Sequence, residues 1–544
     1  MKSPRWSQLR ALAQLALWLA FLLFIVTLRF PVENEGAYAL VPRLSPHLAL
    51  TASLSTREAL TVFYPALIVL ILTLVLGRFF CGWICPLGIT LDGTDRIVKT
   101  GGNHLQFGKS GEKDLRYGKY LVLTGSLILA LAGFQAAGLI DPLSLVVRSY
   151  GLVVYPYLDF SLKGIFQALG HIPGVSHASE PLFSLLKGSL LDLNPILFSG
   201  HITVLLFFLV LLLLSRMARR FWCRSLCPLG AVLALTSRFS FFRRKVSVEK
   251  CTHCLKCQRD CRMGAIEGKG LATREEECIK CFECLQSCSY DAISFGFGNP
   301  FAKEQAVPRE EGDEKAEPEA SPGGLTRKRL LAGVVSSAAL VPVLKINAQY
   351  RADFSHLIRP PGALREEDFL DRCIRCGECM KACPTNGLHP ALLEAGVEGL
   401  FTPRLIPRLG WCEKNCNLCT LVCPTGALKR LELADRETTV IGTAYFIHDL
   451  CIPWSENREC LVCEEMCPTQ TKSIRFREET VLDRKNRTVR IKRPYVVEDI
   501  CIGCGICENK CPVPGSAAIR VRTPKNVPLS ALTSQKGEGG YGGE

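Results

Sequence analysis

The sequence predicts a membrane α-helical part, a bundle of four spans with a possible fifth segment, joined to small cysteine-rich α+β domains. Three observations predict it. Long apolar segments are confined to the first 214 residues, apart from one weaker run near 330–344. All 28 cysteines fall into short clusters, two pairs and six quartets, with none left over. An eleven-residue stretch also recurs: RFFCGWICPLG at 78–88 and RFWCRSLCPLG at 220–230, with seven positions identical. Each copy follows an apolar run and carries C-x-x-x-C-P.

The apolar segments are 11–28, 59–76, 120–140 and 202–214 with its flanks. A spanning helix needs about 20 mostly apolar residues. The first three fit, and the fourth needs its neighbours. No cleavable signal peptide is evident. Basic residues set the orientation. Lys2, Arg5 and Arg10 precede the first span. Arg78, Arg96, Lys99, Lys109, Lys113, Arg116 and Lys119 fill the second connection. Arg216, Arg219, Arg220, Arg224, Arg238, Arg243, Arg244 and Lys245 follow the fourth span. These stretches are expected on the cytoplasmic side. The net charge of +14 is concentrated beside the apolar segments, which favours a membrane over a nucleic-acid partner.

Both cysteine pairs, Cys81/Cys85 and Cys223/Cys227, then emerge on the cytoplasmic face. They could converge into one four-thiolate metal site or act as redox thiols. The alternative is buried cysteines at helix ends, with Pro86 and Pro228 shaping turns.

Next come CTHCLKCQRDC and CIKCFECLQSC, with Cys251, Cys254, Cys257, Cys261 and Cys278, Cys281, Cys284, Cys288. The C-x-x-C-x-x-C-x-x-x-C spacing sets three sulfurs around one loop and sends the fourth elsewhere. It is the run of a two-cluster bacterial ferredoxin, where the fourth cysteine serves the other [4Fe–4S] cluster. Cys251, Cys254 and Cys257 therefore pair with Cys288, and Cys278, Cys281 and Cys284 with Cys261. Arg262 and Ser289 stand where a proline usually follows. GAI and DAISF read as short strands closing a ferredoxin-like fold. A disulfide framework suits small secreted domains, and zinc sites favour separated C-x-x-C pairs, so neither explains six quartets.

Residues 301–324 are rich in Glu, Pro, Ala and Gly and read as a solvated linker. Residues 326–344, TRKRLLAGVVSSAALVPVL, look like a twin-arginine export signal with Arg327-Lys328 in place of the arginine pair, the alternative being an ordinary helix packed on the soluble domain. Four more quartets follow, each ending in Cys-Pro. The first holds Cys373, Cys376, Cys379 and Cys383, and the second Cys412, Cys416, Cys419 and Cys423. The third holds Cys451, Cys460, Cys463 and Cys467, and the fourth Cys501, Cys504, Cys507 and Cys511. The second and third have lengthened first gaps. Paired in order, Cys373, Cys376 and Cys379 take Cys423, and Cys412, Cys416 and Cys419 take Cys383. Likewise Cys451, Cys460 and Cys463 take Cys511, and Cys501, Cys504 and Cys507 take Cys467. TVIGTAYFIHDL, 439–450, alternates as a strand does. The tail KGEGGYGGE is expected to be disordered.

On these motifs, residues 1 to about 295 resemble the NapH family, with four spans, CGWICP, CRSLCP and two cluster runs. Residues from Thr326 resemble the NapG/MauM family of exported ferredoxins, with a twin-arginine-like leader and four cluster runs. The resemblance implies a fused quinol dehydrogenase component in the bacterial cytoplasmic membrane. Quinol would be its substrate, and six [4Fe–4S] clusters would pass electrons from the quinone pool to a periplasmic reductase or cytochrome. The implied layout is a four-helix membrane domain at 1–245, a cytoplasmic two-cluster domain at 246–296 and a linker at 297–325. A signal or anchor at 326–348, a periplasmic four-cluster domain at 349–525 and a tail at 526–544 complete it. In the outer loops, Asp141, Arg148, Tyr150, Tyr155, Tyr157 and Asp159 are candidates for the quinol site, and equally for interfacial anchors, tyrosine in particular.

Two other readings stay open. The chain also resembles the CcoG-type membrane ferredoxins, whose C-x-x-x-C-P cysteines would handle copper for oxidase assembly. Electrons could also run in reverse, into the quinone pool. The absence of C-x-x-C-H, of spaced histidine pairs within the spans and of a dinucleotide fingerprint argues against c-type haem, b-type haem and nicotinamide. His201 reads as an interface residue and His253 as one that packs in a cluster loop.

Overall fold

The computed structural model describes residues 6–28, 38–97, 115–172, 176–187, 191–192, 197–300, 327–349, 357–482 and 488–523. Most of the linker and the whole tail from 526 lie outside them. The chain divides into two compact units that interleave along the sequence. One comprises Met1–Thr27, Leu40–Tyr150 and Ile202–Val343, and the other Leu28–Ala39, Gly151–His201 and Leu344–Glu544.

The first unit is helical at its start. Helix α1, Trp6–Thr27, has 22 residues and is the one described helix long and apolar enough to cross a membrane. The other expected spans are shorter. Helix α2, Pro46–Thr56, begins at Ser45, whose hydroxyl accepts the Leu48 N–H. Helix α3, Tyr64–Leu76, follows a 3-10 turn, and Gly77 at φ 76° ends it. The short helix α4, Phe79–Trp83, and then α5, Pro86–Ile97, carry the first repeat. Helix α6, Gly118–Leu131, stops where Gly133 turns at φ 75°, so the apolar stretch 120–140 is not one helix. At about 1.5 Å per residue, helices of 13 or 14 residues reach about 20 Å, against the ~30 Å of a bilayer core. The second unit supplies α7, Tyr155–Gly170.

Helix α8, His201–Leu213, opens at the edge of the first unit and ends in a 3-10 turn, Leu214–Arg216. The second repeat follows as α9, Phe221–Ser225, and α10, Pro228–Ser237. Helix α10 packs on α6 through Tyr120, Leu123, Ala231, Val232 and Ala234, with Leu70 of α3 against them. The outward faces of α1, α3 and α8 stay apolar and exposed, with Leu12, Ile68, Ile71 and Val210 each more than half exposed.

Helix α11, Arg327–Gln349, lies along α6 in the same direction. The Arg329 guanidinium stacks 4.7 Å over the Tyr117 ring. A Cβ added at Gly333 would meet Leu121 at 2.6 Å, and one at Gly125 would meet the Ser337 hydroxyl at 3.0 Å. These contacts step by four residues on both helices, and two glycines let the backbones close.

The cluster loops of this unit are framed by two antiparallel pairs. Strand β1, Phe242–Val246, pairs with β4, Ile293–Phe297, and β2, Ile266–Glu267, pairs with β3, Ala272–Thr273. The GAI and DAISF segments do form strands, but each takes a partner outside the quartets.

The second unit joins residues 151–201 to the C-terminal segment. The Asn386 amide donates to the Leu197 carbonyl at 3.0 Å, the Ser199 N–H donates to His389 Nδ1 at 3.0 Å, and the Lys381 ammonium lies 3.6 Å from Asp192. Its sheets are two-stranded and antiparallel. Strand β5, Leu388–Pro390, pairs with β6, Pro403–Leu405, and β8, Ile474–Leu482, with β9, Thr488–Val496. Strand β7, Thr443–Phe446, is the core of the expected strand at 439–450 and pairs with β10, Ile519–Arg522.

Candidate iron–sulfur centres

The four quartets with regular spacing fold alike. Two residues after the first cysteine, and again two residues later, the backbone is left-handed. The positions are His253 and Leu255, Lys280 and Phe282, Arg375 and Gly377, and Gly503 and Gly505. Left-handed residues at such spacing curl a loop so that its N–H groups can face one concavity, which suits an anion. The two runs with lengthened first gaps lack this pattern.

Each loop draws its fourth cysteine from its partner quartet. Four cavities of 320–380 Å³ are lined by thiols in crossed sets. Cys251, Cys254, Cys257 and Cys288 share one, and Cys373, Cys376, Cys379 and Cys423 another. Cys451, Cys460, Cys463 and Cys511 line the third, and Cys501, Cys504, Cys507 and Cys467 the fourth. Cys278, Cys281 and Cys284 lie within electrostatic range of Cys261, and Cys412, Cys416 and Cys419 within range of Cys383.

These surroundings fit iron–sulfur clusters, whose potentials follow charge and hydrogen bonds to sulfur. Backbone N–H groups of Ala265, Leu428, Ala444 and Ala518 donate to the sulfurs of Cys261, Cys423, Cys501 and Cys511 at 3.2–3.5 Å. Arg436 reaches the Cys412 sulfur at 2.9 Å, and Arg244 reaches that of Cys257 at 3.7 Å. Burial pushes the Cys416, Cys463 and Cys504 thiols up to about 12. A buried thiol of that kind stays protonated until a metal displaces the proton, which is then released to solvent.

In the second unit the four sets stand in a row. Cys379 neighbours Cys419, the Cys412 N–H donates to the Cys504 carbonyl at 2.8 Å, and Cys463 neighbours Cys507. The spatial order is the Cys373, Cys412, Cys501 and Cys451 sets, so the last two are exchanged relative to the sequence. The 151–201 segment packs at the Cys373 end, through Lys381 and Asn386.

The four C-x-x-x-C-P thiols also come together. Every pair among Cys81, Cys85, Cys223 and Cys227 lies within electrostatic range. Cys227 begins α10 and accepts the Gly230 N–H at 3.2 Å, and Cys85 accepts that of Gly88. Pro86 and Pro228 occupy the first position of their helices, where a missing N–H costs nothing.

The sequence marks the arginines that open the two repeats as membrane-flanking charge. Arg78 and Arg220 are instead fully buried. Arg220 makes two 2.7 Å bonds to Asp92 and donates to the Cys81 carbonyl at 2.9 Å. Arg78 bonds Glu277 at 3.2 Å, beside Lys119 at 2.5 Å. Arg10 and Arg262 also converge on Asp92, at 2.5 and 3.0 Å, so the residue that replaces the usual proline after Cys261 has a partner.

The quinol candidates are dispersed. Asp141 binds His47 at 3.1 Å and Ser45 at 2.7 Å, a fully buried pair the sequence did not reveal. Arg148 donates to the Gly138 and Leu139 carbonyls. The Tyr150 hydroxyl meets Trp18 and Thr90. The Tyr155 ring lies 4.1 Å from Lys381 Nζ, the Tyr157 ring packs on His201, and Asp159 pairs with Lys163. His253 Nδ1 lies 3.2 Å from the Lys269 carbonyl.

Family profiles described as 4Fe-4S binding domains match residues 59–101 and 201–249, 368–389, and 248–264 and 498–514. The methylamine utilization ferredoxin-type protein MauM of Methylorubrum extorquens is 37% identical over 215 residues, covering 37% of this chain and 91% of the relative. The ferredoxin-type protein NapG of Escherichia coli is 35% identical over 219 residues, covering 39% of this chain and 89% of the relative. The ferredoxin-type protein NapF of the same organism is 28% identical over 159 residues, 29% of this chain and 82% of the relative. With its crossed cysteine quartets and these relatives, the chain belongs to the NapG/MauM family of ferredoxin-type proteins and is an iron–sulfur electron-transfer protein.

Proposed function

We propose that the chain is a membrane-bound quinol dehydrogenase component that carries electrons through six [4Fe–4S] clusters to a periplasmic reductase or cytochrome. The row of four thiol sets in the second unit carries this reading. Four adjoining centres in one domain serve to move single electrons over distance, and they leave one end beside the 151–201 segment and the other free for a partner.

Helix α1 and the exposed apolar faces of α3 and α8 support a lipid-embedded first unit, in which the shorter helices thin or locally distort the bilayer. The parallel course of α11 along α6 supports a crossing in the same direction as α6. That direction takes the C-terminal domain to the same side as residues 151–201, whose packing on it agrees. A NapH-like role for the first half follows from this layout and its C-x-x-x-C-P repeats.

The test mixes anaerobic, purified protein with excess menaquinol and follows cluster absorbance and EPR. Reduction of the clusters by quinol is the expected result. Clusters that stay oxidised in quinol yet reduce with dithionite would overturn it, and quinone-dependent oxidation of the reduced protein would then establish reverse flow.

A further inference from the structure

All 28 cysteines lie among the described residues, and Cys254 alone of them is exposed. The cavity it shares with Cys251, Cys257 and Cys288 also differs from the three other thiol-lined cavities. Exposed Lys250, Lys256 and Lys269 stand around it, and among the described residues no Asp or Glu lines it. The other three carry one cation between them, Arg375, which is buried. Leu255 and Tyr290 line the same opening, 41% and 54% exposed.

The sister loop shows that the loop geometry does not force this exposure. Leu255 and Phe282 hold the same left-handed place in their loops, as do His253 and Lys280. Phe282 is 8% exposed, with the Trp6 ring 5.3 Å away, and Lys280 is fully buried against Glu275. Trp83 Nε1 of α4 donates to the Lys280 carbonyl at 2.9 Å. The helices of the first unit cover the Cys278 loop and leave Cys254, Leu255 and the three lysines open. Gly377 and Gly505 fill the place of Leu255 in two other loops, where glycine fits without steric cost. An exposed leucine there offers a contact surface instead. Electron transfer falls steeply with distance, so an exposed cluster ligand marks where a redox partner can approach. Apolar side chains at the centre and charge at the rim are the anatomy of a protein interface, and the charge steers a partner of opposite sign. An anionic lipid surface would also meet the lysines, but it has no use for a cluster ligand at their centre.

We propose that this face docks a small, soluble, acidic one-electron carrier protein. One electron passes between the carrier's centre and the cluster of Cys251, Cys254, Cys257 and Cys288. One centre is oxidised as the other is reduced, and no bond or proton moves. Such encounters are small and transient, which suits a patch of a few lysines and two apolar side chains. The first unit then has a port of its own, apart from quinol and from the row in the second unit. The proposal rests on the iron–sulfur reading and not on quinol, so a negative quinol assay leaves its test intact.

The probe is a small acidic [2Fe–2S] ferredoxin, mixed anaerobically with full-length protein in both directions: reduced ferredoxin with oxidised chain, and dithionite-reduced chain with oxidised ferredoxin. Stopped-flow absorbance should show electron exchange in the direction the potentials allow, with a second-order rate that falls at least about tenfold between ~20 and ~300 mM salt. Lys250→Glu with Lys256→Glu and Lys269→Glu should slow it at least about tenfold at low salt and flatten the salt dependence. Its iron content and dithionite reduction should stay unchanged. Amine acetylation read by peptide mass spectrometry should show ferredoxin protecting these three lysines in the wild type. No exchange in either direction overturns the proposal, as does a wild-type rate indifferent to salt, without relying on any variant. Protection of the lysines by phosphatidylglycerol nanodiscs but not by ferredoxin also overturns it and makes the face a lipid contact.

Discussion

At Asp92 one carboxylate receives Arg10, Gln14, Arg220 and Arg262. Burial alone would raise its pKa, but the arginines outweigh it and hold the carboxyl well below the usual carboxylate range. Its stabilisation is therefore present above the unfolded value near 4 and is lost only as pH falls toward the depressed folded value. Asp92→Asn should cost about 3–5 kcal/mol by stranding buried arginines, read as a lower melting temperature at neutral pH. His389 has the same sense at a higher pH, through desolvation rather than through charged partners. Burial lowers its pKa from 6.5 to about 4, so it folds neutral and accepts the Ser199 N–H. The unfolded chain binds the proton first, and stability is lost as pH falls below 6.5. About 2 kcal/mol should be gone by pH 5, and His389→Gln should flatten that part of the denaturation profile. Neither residue was legible in the sequence. A histidine or aspartate outside a motif gives no sign of what will surround it, and Arg78 and Arg220 looked like topology signals because charge counting ignores burial.

The cysteine loops were the most legible elements, because ligand spacing dictates loop geometry. What spacing could not show is the left-handed pair of residues in each regular loop. Gly503 has φ 70°, and a Cβ there would lie 2.3 Å from the Gly442 carbonyl. Gly503→Ala should carry about 1–2 kcal/mol of backbone strain plus that clash, and lose the iron of the Cys501 set. The helices were less legible. Hydropathy marked the right segments but not their ends, which Gly77 and Gly133 set by turning the chain. The partner of α11 was also hidden, since small residues register only when two helices are seen together. An ideal Cβ on Gly125 lies 3.9 Å from the Ser337 Cβ, close to the disulfide mean of about 3.8 Å. Gly125→Cys with Ser337→Cys should therefore cross-link on mild oxidation, detected by peptide mass spectrometry. An antiparallel or detached α11 would leave the pair reduced.

At the scale of the whole molecule, the crossed cysteine sets follow the order expected from the sequence, while the spatial order of the centres does not. Because the Cys412 and Cys504 loops touch and the Cys463 and Cys507 thiols are neighbours, the Cys451 set is the far end of the row. The central claim is that electrons traverse this row from the end next to residues 151–201. Its most direct test is Cys504→Ser, which removes the third centre, confirmed by loss of about four irons. Menaquinol is added anaerobically, and the reduced clusters are resolved by rapid-freeze EPR. The account predicts that the Cys373 and Cys412 centres reduce as in wild type while the Cys451 centre stays oxidised until dithionite is supplied. Reduction of the Cys451 centre at the wild-type rate would contradict it.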